Sequence, residues 1–355
     1  MTQQAGPGAV DDDLLSGVER GVGRIVLNRP KAMNAITTPM AAELDRLLAV
    51  WGADPGVRAV VISGAGERGL CAGGDVRAMW ESSRGDGVAA REFFRTEYRM
   101  NVHFAQFGKP ILALMDGVVL GGGLGVSGHA SVRVVTERSY VGMPEVTIGF
   151  VPDVGGTYLL SRAPGRFGSY LAMTGVGVGP ADAITCGLAD YHVPADRLDD
   201  LVAAVVGGAD PAAAAANLAT APVEGELPSL RAWIDSCFAA PSAVAVVAAL
   251  RAATDPRAVA TAELIETKSP IAVAVALESI RRAAALPDLA AVIEQEFRVS
   301  CAFTRSHDLV EGIRAQVVDR DRSPRWSPPR LSDVSPEDVA SYFADRGDGT
   351  VLGPR

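Results

Sequence analysis

Lysine is almost missing from this sequence: Lys31, Lys109 and Lys268 are the only three in 355 residues. Arginine carries nearly all the positive charge, and acidic residues outnumber basic ones to leave a formal charge of −9. A surface for nucleic-acid phosphates needs clustered Lys and Arg, so the balance argues against that partner. Cysteine is as sparse. Cys71, Cys186, Cys237 and Cys301 lie far apart with no CxxC pair, which argues against a disulfide framework and fits a reducing compartment. The four histidines, His103, His129, His192 and His307, are isolated, with no HExxH and no Cys/His cluster, so no metal is expected. Met1 to Asp13 has no basic segment followed by an apolar run, which predicts no signal peptide. Ile111 to Gly128 is apolar enough to raise a membrane question, but Asp116 and its many glycines argue against a spanning helix. Together these absences predict a soluble cytoplasmic protein.

What is present points to a large core. Hydrophobic residues make up 48% of the chain and charged residues 21%, which is incompatible with wholesale disorder. The length allows one large domain with an appendage, or about two domains. Gly23 to Asn28 alternates like a strand and Asn28-Arg29-Pro30 breaks it. Thr37 or Thr38 caps an expected helix over Pro39 to Trp51, with Leu44, Leu47 and Leu48 on its apolar side. Val57 to Ser63 reads as a buried strand, Arg91 to Phe107 as a helix, Pro110 to Met115 and Val132 to Thr136 as strands, and Gly121 to Gly128 as the opening of a helix. Alternation of this kind indicates an α/β core. Beyond Pro194 the patterns become helical, including Leu198 to Ala221 and Leu289 to Arg305. The expected organisation is a flexible N-terminus (1–13), a catalytic core (14–200), a helical C-terminal region (201–346) and a solvated tail (347–355).

Two motif matches fail on context. Gly64-Ala65-Gly66-Glu67-Arg68-Gly69 fits GxGxxG after a strand, but it runs into Leu70-Cys71-Ala72-Gly73-Gly74 rather than opening a helix, and so reads as a surface turn. Gly125-Val126-Ser127-Gly128-His129 ends on histidine where a nucleophile elbow needs a small residue, so Ser127 reads as a helix-packing residue.

Three other segments carry chemistry. An enolate or tetrahedral oxyanion needs two N–H donors converging on one oxygen, and backbone amides of glycine supply them at close approach. Gly73-Gly74 and Gly121-Gly122 both suit that task, although each pair alone also reads as a turn. Glu145 follows Pro144 in the apolar stretch Tyr140 to Val154, a setting that raises a carboxyl pKa toward neutrality; the alternative is a solvent-facing or salt-bridged glutamate at a strand end. Asp153, eight residues on, is a second carboxylate, or a turn residue before Gly155-Gly156.

These segments resemble the crotonase (enoyl-CoA hydratase/isomerase) superfamily. The resemblance rests on Leu27-Asn28-Arg29-Pro30 with Met33-Asn34-Ala35, Cys71-Ala72-Gly73-Gly74-Asp75, Gly121-Gly122-Gly123, and Pro144-Glu145 followed by Gly155-Gly156-Thr157. Within it, Phe93-Phe94-Arg95-Thr96-Glu97-Tyr98, Phe150 to Gly156, Lys268-Ser269-Pro270 and His307 to Trp326 are most similar to the hydrolase family acting on 3-hydroxyisobutyryl-CoA. The resemblance implies a spiral of ββα units with a helical C-terminal region that covers the site or mediates assembly into a homo-oligomer. It implies an acyl-CoA substrate, with coenzyme A part of that substrate and no separate cofactor. Its site would be Glu145 as catalytic carboxylate, Asp153 as its partner near the substrate hydroxyl, the N–H groups of Gly74 and Gly122 as oxyanion hole, Glu97 and Gly122 against the substrate, and Lys31, Ala32, Met33 and Ala72 along coenzyme A. Hydratases of the superfamily carry a second glutamate on the helix after the triple glycine, where this chain has Gly125, and commonly a glycine where it has Asp153. Hydrolysis of a short 3-hydroxyacyl-CoA in valine breakdown is therefore expected, with a hydratase or isomerase, or an acyl-CoA-binding protein without turnover, as the alternatives.

Overall fold

Residues 12–345 and Leu352 are described by a computed structural model. Strand β1 (Leu14–Glu19) is exposed at every position after Leu14, so it has no alternation for a sequence reading to detect. It pairs antiparallel with β2 (Val22–Leu27). β3 (Ala59–Gly64), β4 (Ile111–Met115), β6 (Val132–Val135) and β9 (Tyr191–His192) then add in parallel to complete a six-stranded sheet, ordered β1-β2-β3-β4-β6-β9. β5 (Val118–Leu120), β7 (Tyr140–Gly142) and β8 (Gly177–Val178) form a second sheet, and isolated bridges tie Gly69 to Gly117 and Cys71 to Val119. Each turn of the chain thus lays a strand in the large sheet, a short strand or bridge in the small one, and then a helix. This is the expected spiral of ββα units.

Helix α1 (Thr38–Ala53) starts where its cap predicts: the Thr37 side chain accepts from the Met40 N–H, and Leu44, Leu47, Leu48 and Trp51 are buried. α2 (Val76–Ser83), capped by Asp75, buries only Met79, which leaves too little period to read. α3 (Val88–Ala105) lies three residues earlier in the chain at its start than its apolar pattern indicates. The helix expected after the triple glycine is a single turn, α4 (Gly122–Gly125). α5 (Gly156–Ser161), α6 (Phe167–Thr174) and α7 (Pro180–Thr185) complete the strand-bearing part. The strand expected over Val57 to Ser63 begins at Ala59, because the Val57 N–H closes a turn on the Asp54 carbonyl.

From Leu198 onward the chain is helical. α8 (Leu198–Val206) and α9 (Pro211–Leu218) cover one face of the large sheet, packing Leu201, Val205 and Ala215 on Val61, Leu112 and Val134. α10 (Leu227–Cys237), α11 (Ala243–Ala252), α12 (Pro256–Glu266), α13 (Pro270–Ala285), α14 (Leu289–Phe303), α15 (His307–Ile313) and α16 (Pro336–Ser341) follow, with a π-helical turn over Arg314–Val318. α13 and α14 pack on α5, and α14 also packs on α3, within one continuous hydrophobic core. An aromatic chain marks the junction: Phe94 stacks on Phe150 at 5.5 Å, Phe150 meets Phe303 edge-on at 5.5 Å, and Tyr98 meets Phe297 edge-on at 6.1 Å. Such pairs add directional preference to plain area burial.

The termini differ in part from expectation. Of the N-terminus expected to be flexible, residues 1–11 lie outside the described residues, and Asp12 and Asp13 are held by Asn28 and Arg29. Of the tail expected to be solvated, only Leu352 is described. It is buried, its N–H donates to Glu294 and its carbonyl accepts from Arg95 and Arg99. The tail expectation is corrected at that residue: a leucine with a buried side chain and a paired backbone is docked, not solvated.

The loop that leads into the site hangs on Asn34. It is buried in the left-handed region (φ 49° at Met33, 57° at Asn34), its Nδ2 donates to the carbonyls of Ala65, Gly69 and Leu70 at 3.0–3.1 Å, and its Oδ1 accepts from the Arg29 N–H at 2.9 Å. Asn34→Ala leaves those buried groups without partners and should cost about 2–3 kcal/mol, at the upper end of the usual penalty for one broken buried pair. Urea unfolding measures it; a change below about 0.5 kcal/mol, the size of an ordinary surface substitution, would contradict the assignment.

Candidate active site

The glycine segments meet because neither has a side chain to keep them apart. A Cβ placed on Gly122 would stand 3.0 Å from the Gly74 nitrogen and 3.0 Å from Glu97 Oε1; one on Gly121, at φ +52°, would stand 2.6 Å from Glu145 Oε1. The N–H groups of Gly74 and Gly122 donate to no acceptor among the described residues. Gly122 opens a helix, where the first amides have no intrahelical partner. Two free donors therefore lie side by side at the wall of one cavity.

That cavity has a volume of about 240 Å³ and is lined by Ala72, Gly74, Glu97, Gly122, Glu145 and Asp153, all expected in the site from the sequence. Lys31, Ala32 and Met33 do not line it. They form an exposed 3-10 turn and its cap, joined to the site loop by the Ala72 N–H donating to the Met33 carbonyl at 3.0 Å. Phe93 and Met79 close another wall, and Gln316 and Val317 of the π-helical turn enter from the C-terminal region.

The carboxyl groups set the electrostatics. Glu97, Glu145 and Asp153 are all buried, and Glu97 Oε1 and Glu145 Oε2 have no hydrogen-bond partner. Asp153 Oδ2 accepts from the Tyr98 hydroxyl at 2.6 Å, and the Tyr98 oxygen lies 2.7 Å from Ser300 Oγ. Behind Asp153, Glu296 accepts from the Gly155 N–H at 2.6 Å, the Thr157 N–H at 2.9 Å and the Thr157 hydroxyl at 2.5 Å. Burial, and then the charge of Asp153, hold Glu97 and Glu145 well above the ordinary carboxyl range. Burial pushes Asp153 up to about 7, against the lowering by the Tyr98 hydrogen bond, and Glu296 up to about 8 against its three donors. Burial also pushes the Cys71 thiol up to about 12 and His129 down to about 4, so both are neutral. The wall thus combines proton-exchanging carboxyls with amides able to receive an oxyanion.

The failed motif matches behave as expected. After β3 the chain bends through Gly66 and Gly69 with no helix until Val76. Ser127, expected as a helix-packing residue, lies in the turn after α4, where it is buried and donates to the Gly123 carbonyl at 2.6 Å. The run Ile111 to Gly128 is β4, β5 and α4, and no helix among the described residues is long and apolar enough to cross a membrane. Sequence reasoning missed Glu296, Ser300, Gln316 and a role for Tyr98. A signal existed for two of them: Glu296 and Ser300 stand four apart in an apolar helix, on its buried face.

A spiral of ββα units carrying a buried carboxyl cluster beside two free glycine amides defines an enzyme of the crotonase class. The chain belongs to the enoyl-CoA hydratase/isomerase family, whose model matches residues 22–343. It is 35% identical over 349 residues to mitochondrial 3-hydroxyisobutyryl-CoA hydrolase of Gallus gallus, covering 96% of this chain and 90% of that protein. It is 36% identical over 348 residues to 3-hydroxyisobutyryl-CoA hydrolase 1 of Arabidopsis thaliana, covering 93% and 92%. Among solved structures it is similar to a carnitinyl-CoA dehydratase from Mycobacterium thermoresistibile, at 49% identity and a TM-score of 0.93 over 97% of this chain and 100% of that one. An enoyl-CoA hydratase from Rhodobacter sphaeroides 2.4.1 is 42% identical with a TM-score of 0.90, covering 96% and 100%.

The raised carboxyls have a consequence for stability. In the unfolded chain these groups ionise near 4, whereas in the folded protein Asp153 and Glu296 keep their protons to about 7 and 8. The folded state therefore binds more protons, and their contribution to stability is full at acid pH and lost as the pH rises through 7 and 8. The thermal midpoint should fall between about pH 5 and 9, and Glu97→Gln should flatten that fall. A midpoint that rises over this window would contradict the protonation pattern.

Proposed function

We propose that this enzyme hydrolyses the thioester of 3-hydroxyisobutyryl-CoA or a similar short 3-hydroxyacyl-CoA, an activity that belongs to valine breakdown. The observation that carries the reading is the juxtaposition of a buried Glu145 oxygen without a partner and the two free amides of Gly74 and Gly122. The thioester oxygen lies between those amides, which stabilise the negative charge that develops on it; loss of one such donor costs on the order of 10²–10³ in rate. Glu145, whose burial holds its proton well above the ordinary carboxyl range, acts once deprotonated, in either of two ways. It attacks the carbonyl carbon, forming a C–O bond as the C–S bond breaks and coenzyme A leaves as its thiolate, and water then opens the resulting anhydride. Alternatively it takes a proton from a water that makes the same attack. Asp153 accepts the substrate hydroxyl, Glu97 supports the acyl group, and coenzyme A runs outward past Ala72 along the turn of Lys31, Ala32 and Met33. A cavity of about 240 Å³ lies below the range typical of drug-sized ligands, which favours a short acyl chain.

A second reading, hydration or dehydration across the α and β carbons, draws support from Glu97, which brings a second glutamate to the cavity. Against it stands Gly125: a Cβ there would lie 2.9 Å from Asn101 Nδ2 and 2.9 Å from Val154 Cβ, so the position used by hydratases is closed to a longer side chain. The vertebrate relatives are named mitochondrial. For this chain we propose only a reducing compartment, in keeping with four free, buried cysteines.

Glu145→Gln should abolish thiol release from 3-hydroxyisobutyryl-CoA, a loss of at least about 10³, while binding of the ester, followed by calorimetry, changes only a few-fold. Turnover within a few-fold of the parent would sink the mechanism.

A further inference from the structure

Asp153 lies on an irregular segment, Phe150–Val154, that ends with Val154 at φ +53°. Its backbone alone does not fix its carboxylate; the fixing contacts come from two helices far apart in sequence. From α3, the Tyr98 hydroxyl donates to Asp153 Oδ2 at 2.6 Å. With that proton committed, the Tyr98 oxygen is an acceptor, and the Ser300 hydroxyl of α14 donates to it across 2.7 Å. The ring is fully buried, edge-on to Phe297 and tilted on Phe94, so the phenol has one direction to point. One turn earlier on α14, Glu296 takes the Gly155 and Thr157 amides and clamps the chain just after Asp153. On the other side, His129 Nε2–H donates to the Val154 carbonyl at 2.9 Å.

We propose that Tyr98, oriented by Ser300, is a positioning residue that holds Asp153 as a carboxylate facing the acyl cavity, making α14 of the C-terminal region a working part of the site. The groups facing Asp153 are Glu97 and Tyr98 from α3, Glu145 from the segment after β7, Glu296 and Ser300 from α14, and His129 behind Val154. No cation is among them, and His129 is neutral. Several carboxyls thus compete for protons, and a hydroxyl donor aimed at one of them favours its charged form. Asp153 is pushed only to about 7, whereas Glu97 and Glu145, each with an oxygen lacking a donor, stand well above the ordinary range.

The inference rests on the proposed hydrolysis only where it gives Asp153 a catalytic use, so its test has a readout that needs no substrate. Tyr98→Phe keeps the ring and removes the donor. Carboxyl carbon-13 NMR titration of the ligand-free protein should show Asp153 moving up by about 1–2 pH units, the worth of one hydrogen bond to a charged group. The acid limb of kcat/KM for thiol release, which reports the free enzyme, should move the same way. Ser300→Ala should give a smaller shift in the same direction, and it carries the test alone if the phenylalanine variant does not fold. An unchanged Asp153 titration, with only a lower thermal midpoint, would overturn the proposal and leave Tyr98 a packing residue. A shifted titration in a protein whose parent releases no thiol would uphold the positioning and remove the hydrolase reading.

Discussion

Everything in this site depends on carboxyl groups that have been taken out of water without a cation to pair with. Glu97, Glu145 and Asp153 are buried around one cavity with Glu296 behind Asp153, and burial is the largest influence on each of them. Charged groups cannot crowd together in a low-dielectric wall, so the cluster keeps protons that exposed carboxylates would lose. That retention makes the arrangement tolerable in a folded protein, and it also makes the cluster able to exchange protons near neutral pH. The partners are distributed unevenly. Glu296 has three donors and serves the backbone, Asp153 has one, and Glu145 and Glu97 each keep a buried oxygen without a donor. Unsatisfied polar groups of this kind are rare in a core and concentrate where function needs them.

The fold contributes by bringing backbones together. In the ββα spiral, the loop after β3 and the loop after β5 lie on adjacent turns, so Gly74 and Gly122 become neighbours although 48 residues separate their numbers. Side chains at Gly121 or Gly122 would run into Glu145, Glu97 or the facing amide, which is why the close approach demands glycine. The C-terminal helices close the arrangement from behind: α14 supplies Glu296 and Ser300, and the π-helical turn supplies Gln316 and Val317 to the cavity wall. Departures from regular helix geometry are common beside functional sites.

How far the sequence revealed this differs by level. α1 was legible because Thr37 caps it and three leucines mark its buried side; β2 was legible from its alternation. β1 and α2 were not, since one is exposed almost throughout and the other buries a single methionine. Glu145, Asp153, Glu97, Gly74, Gly122 and Ala72 were legible as candidates through local motifs and the family resemblance, and they line one cavity. The spacing of Glu296 and Ser300 marks them as buried, but the roles of Ser300, Glu296 and Gln316 were not legible, because they arise from contacts with residues 130 or more positions away. Lys31, Ala32 and Met33, expected along coenzyme A, lie on an exposed turn outside the cavity and beside its entrance loop.

The relatives of this chain bear hydrolase, hydratase and dehydratase names. The most direct test is thiol release from 3-hydroxyisobutyryl-CoA, run beside the loss of enoyl absorbance from crotonyl-CoA at the same enzyme concentration. Rapid thiol release with negligible loss of the enoyl band is the predicted result. Hydration of crotonyl-CoA without thiol release would contradict the account and make Glu97 and Glu145 a hydratase pair instead.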